Sequence, residues 1–242
     1  MAAVDVRPLT DYERMRQAVG SLAHLGPASE IIDHCPTAAA LAADLDRVVL
    51  SRIENGTLVV ERVHTHAGLG NGAGASLGHP PVRLAYPLLE CEVLRRREAR
   101  LVAEIDHSQP SRYAFLETLG WRDYVAVPIL VDGASIGFLH GDRGPGRPRL
   151  AQPDADALEY FAAGFALVFE RAVLRRRLRD QRREIRRIAT WAEARSGELS
   201  DGEIALSGGR TEEQDRRAGA PELLTEDGLA THLTRGRSMS CA

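Results

Sequence analysis

The stretch from Tyr124 to Asp142 reads YVAVPILVDGASIGFLHGD and decides the fold. Two runs rich in apolar residues meet at Asp132-Gly133, and Asp-Gly between such runs is among the strongest local signals for a β-hairpin. Glycine suits this turn because it adopts positive φ without steric cost. The stretch therefore predicts two antiparallel strands joined by a tight turn.

A second hairpin is predicted upstream of this one. The runs Arg47–Ile53 and Thr57–His64 flank Asn55-Gly56, another dipeptide typical of tight hairpin turns. The other predicted elements between the hairpins are a strand at 82–86, a helix at 87–98 and a strand at 100–105. About six strands, with helices between and outside them, predict an α+β fold with an antiparallel sheet covered by helices.

Helical patterns flank the predicted strands. Residues 10–25 carry one apolar stripe at spacings of three and four, which predicts a helix. Residues 28–45 predict one or two short helices interrupted at Pro36, because proline removes a helical hydrogen bond. The segment from Pro153 to about Arg195 predicts one long amphipathic helix.

The long helix carries two apolar stripes that are out of phase. The first half suits packing on its own domain, and the second half suits pairing with another helix as a short coiled coil. The sequence therefore predicts a homodimer, with the contact formed by Leu174, Leu178, Ile185 and Ile188.

Composition limits the possible functions. The net charge of −3 over 242 residues does not indicate a general nucleic-acid binder. Three cysteines without a CxxC pair are typical of a reducing compartment, so a cytoplasmic location is expected. No signal peptide or run of about 18 apolar residues is present, which predicts no membrane span.

Four segments resemble GAF domains. They are VAVPIL at Val125–Leu130, the following Asp-Gly, SIGFLHGD at Ser135–Asp142, and DADALEYFAAGFALVFERAVL at Asp154–Leu174. Residues 28–64 are similar to the opening helix and first hairpin of that family. The resemblance implies a sheet of five or six strands with helices on one face and a ligand pocket on the other.

The tail resembles a different family. Pro221–Thr225 reads PELLT and is similar to the opening of the helix-turn-helix module in LuxR-type bacterial regulators. The residues that follow depart from that pattern, so a recognition helix is not expected, and neither is specific DNA binding by this chain alone. The predicted organisation is an N-terminal helix at 1–26, a GAF-like sensor at 27–175 with its closing helix from 153, a coiled coil at 176–197, and an acidic linker with a helix-turn-helix remnant at 198–242.

The resemblance places a ligand between the sheet and the central segment, residues 67–121. The candidate lining residues are Ser51, Ile53, Tyr86, Leu89, Cys91, Phe115, Trp121, Val127 and His140. The alternative for most of them is simple core packing. Tyr86, Phe115 and Trp121 are favoured because planar ligands need aromatic stacking surfaces.

Three other patterns are weaker. His64 and His66 share a strand face, but no carboxylate or cysteine stands at ligand spacing, so no metal site is expected. Cys91 lies near arginines that could lower a thiol pKa, yet a buried apolar role for Cys35 and Cys91 is favoured. The glycines of residues 67–80 lack the Lys-Ser/Thr of a phosphate-binding loop.

Together these observations predict a small-molecule-sensing regulatory module of a bacterial transcriptional regulator, without catalytic activity. The alternative is a stand-alone protein-interaction module that takes no small ligand. The sequence identifies neither a cofactor nor the ligand.

Overall fold

The computed structural model describes residues 10–66, 80–104, 110–113, 121 and 123–200, with the backbone alone at 110 and 196–200. The helices are α1 (Asp11–Ala23), α2 (Ala28–Ala43), α3 (Leu89–Arg96) and α4 (Gln152–Ser200). The strands are β1 (Arg47–Glu54), β2 (Thr57–Thr65), β3 (Val82–Arg83), β4 (Arg100–Val102), β5 (Tyr124–Val131) and β6 (Ala134–Asp142), and a 3-10 turn covers Pro110–Arg112. The chain divides into two compact units. The described part of the first unit ends at Val173, and the described part of the second begins at Leu174.

The strands of the first unit form one antiparallel sheet. Within the described residues its order is β3-β2-β1-β6-β5-β4. The first and last hairpins of the chain thus meet at the centre, where β1 pairs with β6. This arrangement confirms the predicted α+β fold with helices flanking an antiparallel sheet.

Both predicted hairpin turns are present. Asn55 and Gly56 have φ of 47° and 76°, and Asp132 and Gly133 have φ of 49° and 73°. Positive φ at both central residues matches the twist of the flanking strands, and Asn-Gly and Asp-Gly favour that conformation. The two turns therefore set the pairing of β1 with β2 and of β5 with β6.

One face of the sheet packs against α1, α2 and the first part of α4. Val48, Leu50 and Leu139 project from the strands into this core. Leu158 and Phe161 of α4 meet them and are buried. The first part of α4 buries the apolar stripe that its sequence periodicity predicts.

The predicted interruption at Pro36 is wrong. α2 runs unbroken from Ala28 to Ala43 with Pro36 inside it. Proline costs a helix about 3 kcal/mol through a lost hydrogen bond and a clash with the preceding turn. Cys35, Pro36 and Ala39 are all buried, so the apolar surface that α2 removes from water offsets this cost.

Two helices differ in length from the prediction. α3 is shorter than predicted, and Pro87 lies in the turn before it. α4 is slightly longer than predicted at both ends. Its buried residues end at Ala172, and every described side chain from Leu174 to Arg195 is at least partly exposed.

Candidate functional site

The second face of the sheet, here called the α3 face, holds a separate core. Strand residues alternate between faces, so Val49 of β1, Ala126 of β5 and Phe138 of β6 all point to this side. Leu89 and Val93 of α3 cover them. The α3 face is the region where the sequence placed a ligand.

A buried acid–base pair lies in the middle of this face. His140 of β6 and Glu90 of α3 are 0% and 1% exposed, and His140 Nε2 lies 3.1 Å from Glu90 Oε1. The His140 ring stacks on Phe138 at 5.6 Å between centroids, and Tyr124 lies 6.2 Å away in a tilted arrangement. Strand pairing fixes His140 and helix α3 supplies Glu90, so the pair joins two elements that are distant in sequence.

Besides Nε of the partly exposed Arg100, three polar atoms on this face are buried without a hydrogen-bond partner among the described residues. They are Ser51 Oγ, Glu90 Oε2 and the hydroxyl oxygen of Tyr124. Leaving such a group unsatisfied costs about 1–3 kcal/mol each, so folded proteins rarely tolerate several together. The three atoms therefore retain hydrogen-bonding capacity that the described residues do not use.

Tyr124 stays protonated in this setting. Burial raises the pKa of its hydroxyl well above the ordinary value, and the nearby charge of Glu90 acts in the same direction. Arg112 has a smaller, opposing effect. Tyr124 consequently presents a neutral phenol, which both donates and accepts hydrogen bonds.

An arginine–carboxylate pair closes one end of the α3 face. Arg47 Nε donates to Asp142 Oδ1 at 2.7 Å, and its Nη2 donates to Asp142 Oδ2. The guanidinium carbon of Arg47 lies 5.2 Å from the centre of the Trp121 ring, within cation–π range. Burial raises the pKa of Asp142 to about 7; Arg47 opposes this, while Asp123 and Asp46 reinforce it.

Three arginines surround one carboxylate of α3, Glu92. Glu92 lies 3.1 Å from Arg96, 3.4 Å from Arg100 and 3.1 Å from Arg112. Each of these side chains is partly exposed. This cluster ties α3 to β4 and to the 3-10 turn, so it helps to fix the position of Glu90.

The structure brings together most of the predicted lining residues. Ser51, Leu89, Cys91, Trp121 and His140 are buried on the α3 face, and Ile53 is partly buried there. Tyr86 is 78% exposed and does not belong to this core. Phe115 lies outside the described residues.

Val127 lies on the wrong face for a lining residue. It is buried in the core that packs against α1, α2 and α4. Its neighbour Ala126 pairs with His140 and points to the α3 face instead. Because successive strand residues face opposite sides, grouping Val127 with His140 was an error of one residue in β5.

Sequence reasoning missed Glu90, Tyr124 and Phe138. The signal for Glu90 is an acid between apolar neighbours, in the run Leu88-Leu89-Glu90-Cys91. A charged residue in such a run is buried only when it is paired. Tyr124 and Phe138 share their strand face with His140, which becomes visible once the register is known.

The other described histidines and cysteines show no second site. His64 Nδ1 lies 3.1 Å from the Thr37 hydroxyl, and His66 is exposed. Within the described ranges no group of three or more His, Cys, Asp or Glu side chains is arranged to hold a metal ion. Burial raises the pKa of the Cys35 thiol well above its usual value.

The family model described as GAF domain matches residues 28–169, more than half of the chain. The chain belongs to the GAF family. GAF domains are sensory and regulatory modules. A search of curated protein sequences found no match. Among the described residues, no helix is both long and apolar enough to cross a membrane.

Several solved structures share this fold at low sequence identity. The GAF domain of an Acinetobacter phosphoenolpyruvate-protein phosphotransferase is 16% identical, with a TM-score of 0.52 over 69% of this chain and 97% of that one. The chromophore-binding domain of Stigmatella aurantiaca bacteriophytochrome (Thr289His mutant) is 14% identical, with a TM-score of 0.53 over 70% and 63%. Free methionine-R-sulfoxide reductase from Neisseria meningitidis is 17% identical, with a TM-score of 0.54 over 72% and 99%.

Proposed function

We propose that this GAF domain binds a small molecule on its α3 face and serves as the sensory part of a bacterial transcriptional regulator of the LuxR kind. The observation that carries the proposal is the set of three buried polar atoms, of Ser51, Glu90 and Tyr124, that have no hydrogen-bond partner in the part of the chain that the structure describes. At about 1–3 kcal/mol each, their combined penalty is a large share of the stability of an ordinary domain. A ligand that forms hydrogen bonds with these three atoms would recover that free energy.

The surroundings of these atoms suit a small ligand. Protein pockets for small molecules are mostly apolar, with a few polar groups that fix orientation. The α3 face has that composition, with Phe138, Trp121 and several aliphatic side chains around the polar cluster. One of the similar folds is named a chromophore-binding domain, so this architecture accommodates a small molecule in at least one relative.

We propose binding rather than catalysis. Nucleophilic cysteine chemistry needs an accessible thiolate with a depressed pKa. Cys35 and Cys91 are both buried, and the pKa of Cys35 is raised. The likeness to a methionine sulfoxide reductase extends to the fold and carries no residue role to this chain.

Signalling would run through a homodimer formed by the second part of α4. Leu174, Leu178, Ile185 and Ile188, here called the α4 seam, are between 42% and 65% exposed. They recur at spacings of four, seven and three, which is a coiled-coil repeat. Arginines fill most of the intervening positions, so the seam is the main apolar surface that this segment offers to a partner helix.

We expect the double variant Leu178→Asp/Ile185→Asp to be a folded monomer. Two carboxylates per chain at adjacent core positions would face their copies across the seam, where like charges repel. Sedimentation at tens of micromolar should show a dimer for the unmodified chain and a monomer for the variant. Arg176→Asp/Arg183→Asp, also seven residues apart but off the seam, should remain dimeric. A monomeric unmodified chain at that concentration would end this part of the proposal.

The second candidate function is protein interaction without a small ligand. The exposed α4 seam favours it, since such a surface could serve another helix equally well. The two functions differ in what the α3 face does. A pure interaction module would not change its thermal stability in the presence of metabolites.

Thermal unfolding in the presence of fractionated bacterial metabolites tests the sensory proposal. A ligand at 100 times its dissociation constant stabilises the folded state by about 2.7 kcal/mol, which corresponds to several degrees in a domain of this size. At least one fraction should raise the melting temperature of the chain, and should do so less for Ser51→Ala. Failure of every fraction, in a screen that covers the main polar metabolite classes, would favour the interaction module.

Trp121 should report the ligand directly. The chain has two tryptophans, so Trp191→Phe leaves Trp121 on the α3 face as the only one. Its emission should shift on titration with a metabolite found in the thermal screen. Trp121→Ala should weaken binding by about 1–3 kcal/mol, as expected for a lost aromatic contact. Unchanged affinity in a folded Trp121→Ala protein would place the ligand elsewhere.

A further inference from the structure

Glu90 is a buried carboxylate with unused hydrogen-bonding capacity. Within the described part of the chain its only side-chain hydrogen-bond partner is His140, which contacts Oε1. Oε2 has no partner there. A carboxyl group can take part in about four hydrogen bonds, so the described residues leave most of the capacity of Glu90 unused.

The neighbouring arginines do not meet this need. Arg96, Arg100 and Arg112 all pair with Glu92, two residues further along α3. Glu92 is partly exposed, whereas Glu90 is buried against the sheet. The two carboxylates of one helix thus stand in opposite electrostatic settings. Among the residues that the structure describes, Glu92 has three cationic neighbours, whereas Glu90 has a single imidazole.

The groups around Glu90 indicate the shape and polarity of what binds there. The hydroxyls of Ser51 and Tyr124 each donate and accept, so they match a ligand with both kinds of group. The nearby rings are aromatic: Phe138 stacks on His140, and Tyr113 meets Tyr124 edge-on at 6.5 Å. Flat surfaces of this kind favour a planar ligand.

We infer that the ligand is a compact planar molecule that presents an N–H donor edge to the carboxylate of Glu90, as an amidine, a guanidine or an amino-substituted nitrogen heterocycle does. This inference rests on the proposed small-molecule function and specifies its chemistry. A phosphate or carboxylate group at that end of the ligand would face Glu90 and be repelled. The binding end of the molecule is therefore neutral or cationic.

Three probes of nearly equal shape test this chemistry: benzamidine, benzamide and benzoate. Each is titrated into the full chain, with dissociation constants from ligand-observed NMR. We expect benzamidine to bind at least roughly tenfold more tightly than benzoate, because hydrogen bonds to a charged group are the stronger kind. Glu90→Gln should weaken the binding of benzamidine by roughly tenfold and change the affinity for benzamide by less than about threefold. Glu98→Gln, an exposed acid just after α3, is the matched control and should leave benzamidine binding unchanged.

Three results would overturn the inference: preference for benzoate, equal benzamidine affinity in the folded Glu90→Gln protein, or no binding of any probe at millimolar concentration. Preference for benzoate would mean that Arg100 and Arg112 select the ligand instead. If Glu90→Gln does not fold, the ranking of the probes on the unmodified chain decides alone. Failure of all three probes alongside a metabolite that shifts Trp121 emission removes this inference and leaves the proposed function standing. Failure of both removes both.

Discussion

Gly137→Ala should lower the free energy of unfolding by about 3 kcal/mol or more. A Cβ at this position would lie 2.1 Å from the backbone oxygen of Ser51 and 3.2 Å from Arg52 Cα. Both atoms belong to the backbone of β1, so no side-chain rotation relieves the clash. β1 and β6 would have to separate at the centre of the sheet, and overpacking of this severity belongs to the upper end of mutational effects.

Urea unfolding followed by circular dichroism measures this loss. Gly20→Ala in α1 is the control, because nothing lies within 4 Å of its Cβ position. Alanine is the better helix former by about 0.5–1 kcal/mol, so that variant should be slightly more stable. Gly141→Ala meets the movable Leu45 Cδ1 at 2.5 Å and should fall between the two. A Gly137→Ala protein as stable as the parent would mean that β1 and β6 are not paired in this register.

His140→Leu should destabilise the domain by about 1–3 kcal/mol or more. Glu90 would keep its buried carboxyl group and lose its only side-chain hydrogen-bond partner among the described residues. Leaving a buried polar group without its partner costs the full desolvation penalty of that group.

The double variant His140→Leu/Glu90→Leu separates this effect from lost packing. Replacing both partners by apolar residues of similar size is often nearly neutral, so most of the stability should return. A double-mutant cycle from urea unfolding should give a coupling free energy of about 1–3 kcal/mol. Additive single effects would show that the Glu90–His140 contact contributes nothing to the fold.

The parts of the fold that local chemistry determines were predictable. Asn55-Gly56 and Asp132-Gly133 set their turns within a few residues, so both hairpins follow from the sequence. The long apolar stripes of α1 and α4 likewise predict helices without knowledge of the tertiary contacts. Pro36 was misjudged because the stability of α2 comes from packing on the sheet, which propensity does not reveal.

The candidate site was only partly predictable, and β5 shows why. Its residues from Tyr124 to Ile129 are buried on both faces, so no alternation of polar and apolar residues distinguishes the two sides. The pairing of Ala126 with His140 is needed to place Val127 on the other face. Glu90 becomes a site residue only through α3, which brings it to His140 across 50 positions of sequence. The role of the α4 seam stays a prediction.

The central claim is that the α3 face, and not the opposite face of the sheet, holds the ligand. It is tested by the melting-temperature shift that a metabolite from the thermal screen produces in Ser51→Ala and in Val127→Ala. Each variant removes a small buried group from a different face. The account predicts that the ligand-induced shift is reduced by at least half in Ser51→Ala, relative to the unmodified chain, and is retained in Val127→Ala. Each shift is measured from the melting temperature of the same variant without ligand. A shift retained in Ser51→Ala and lost in Val127→Ala would contradict it.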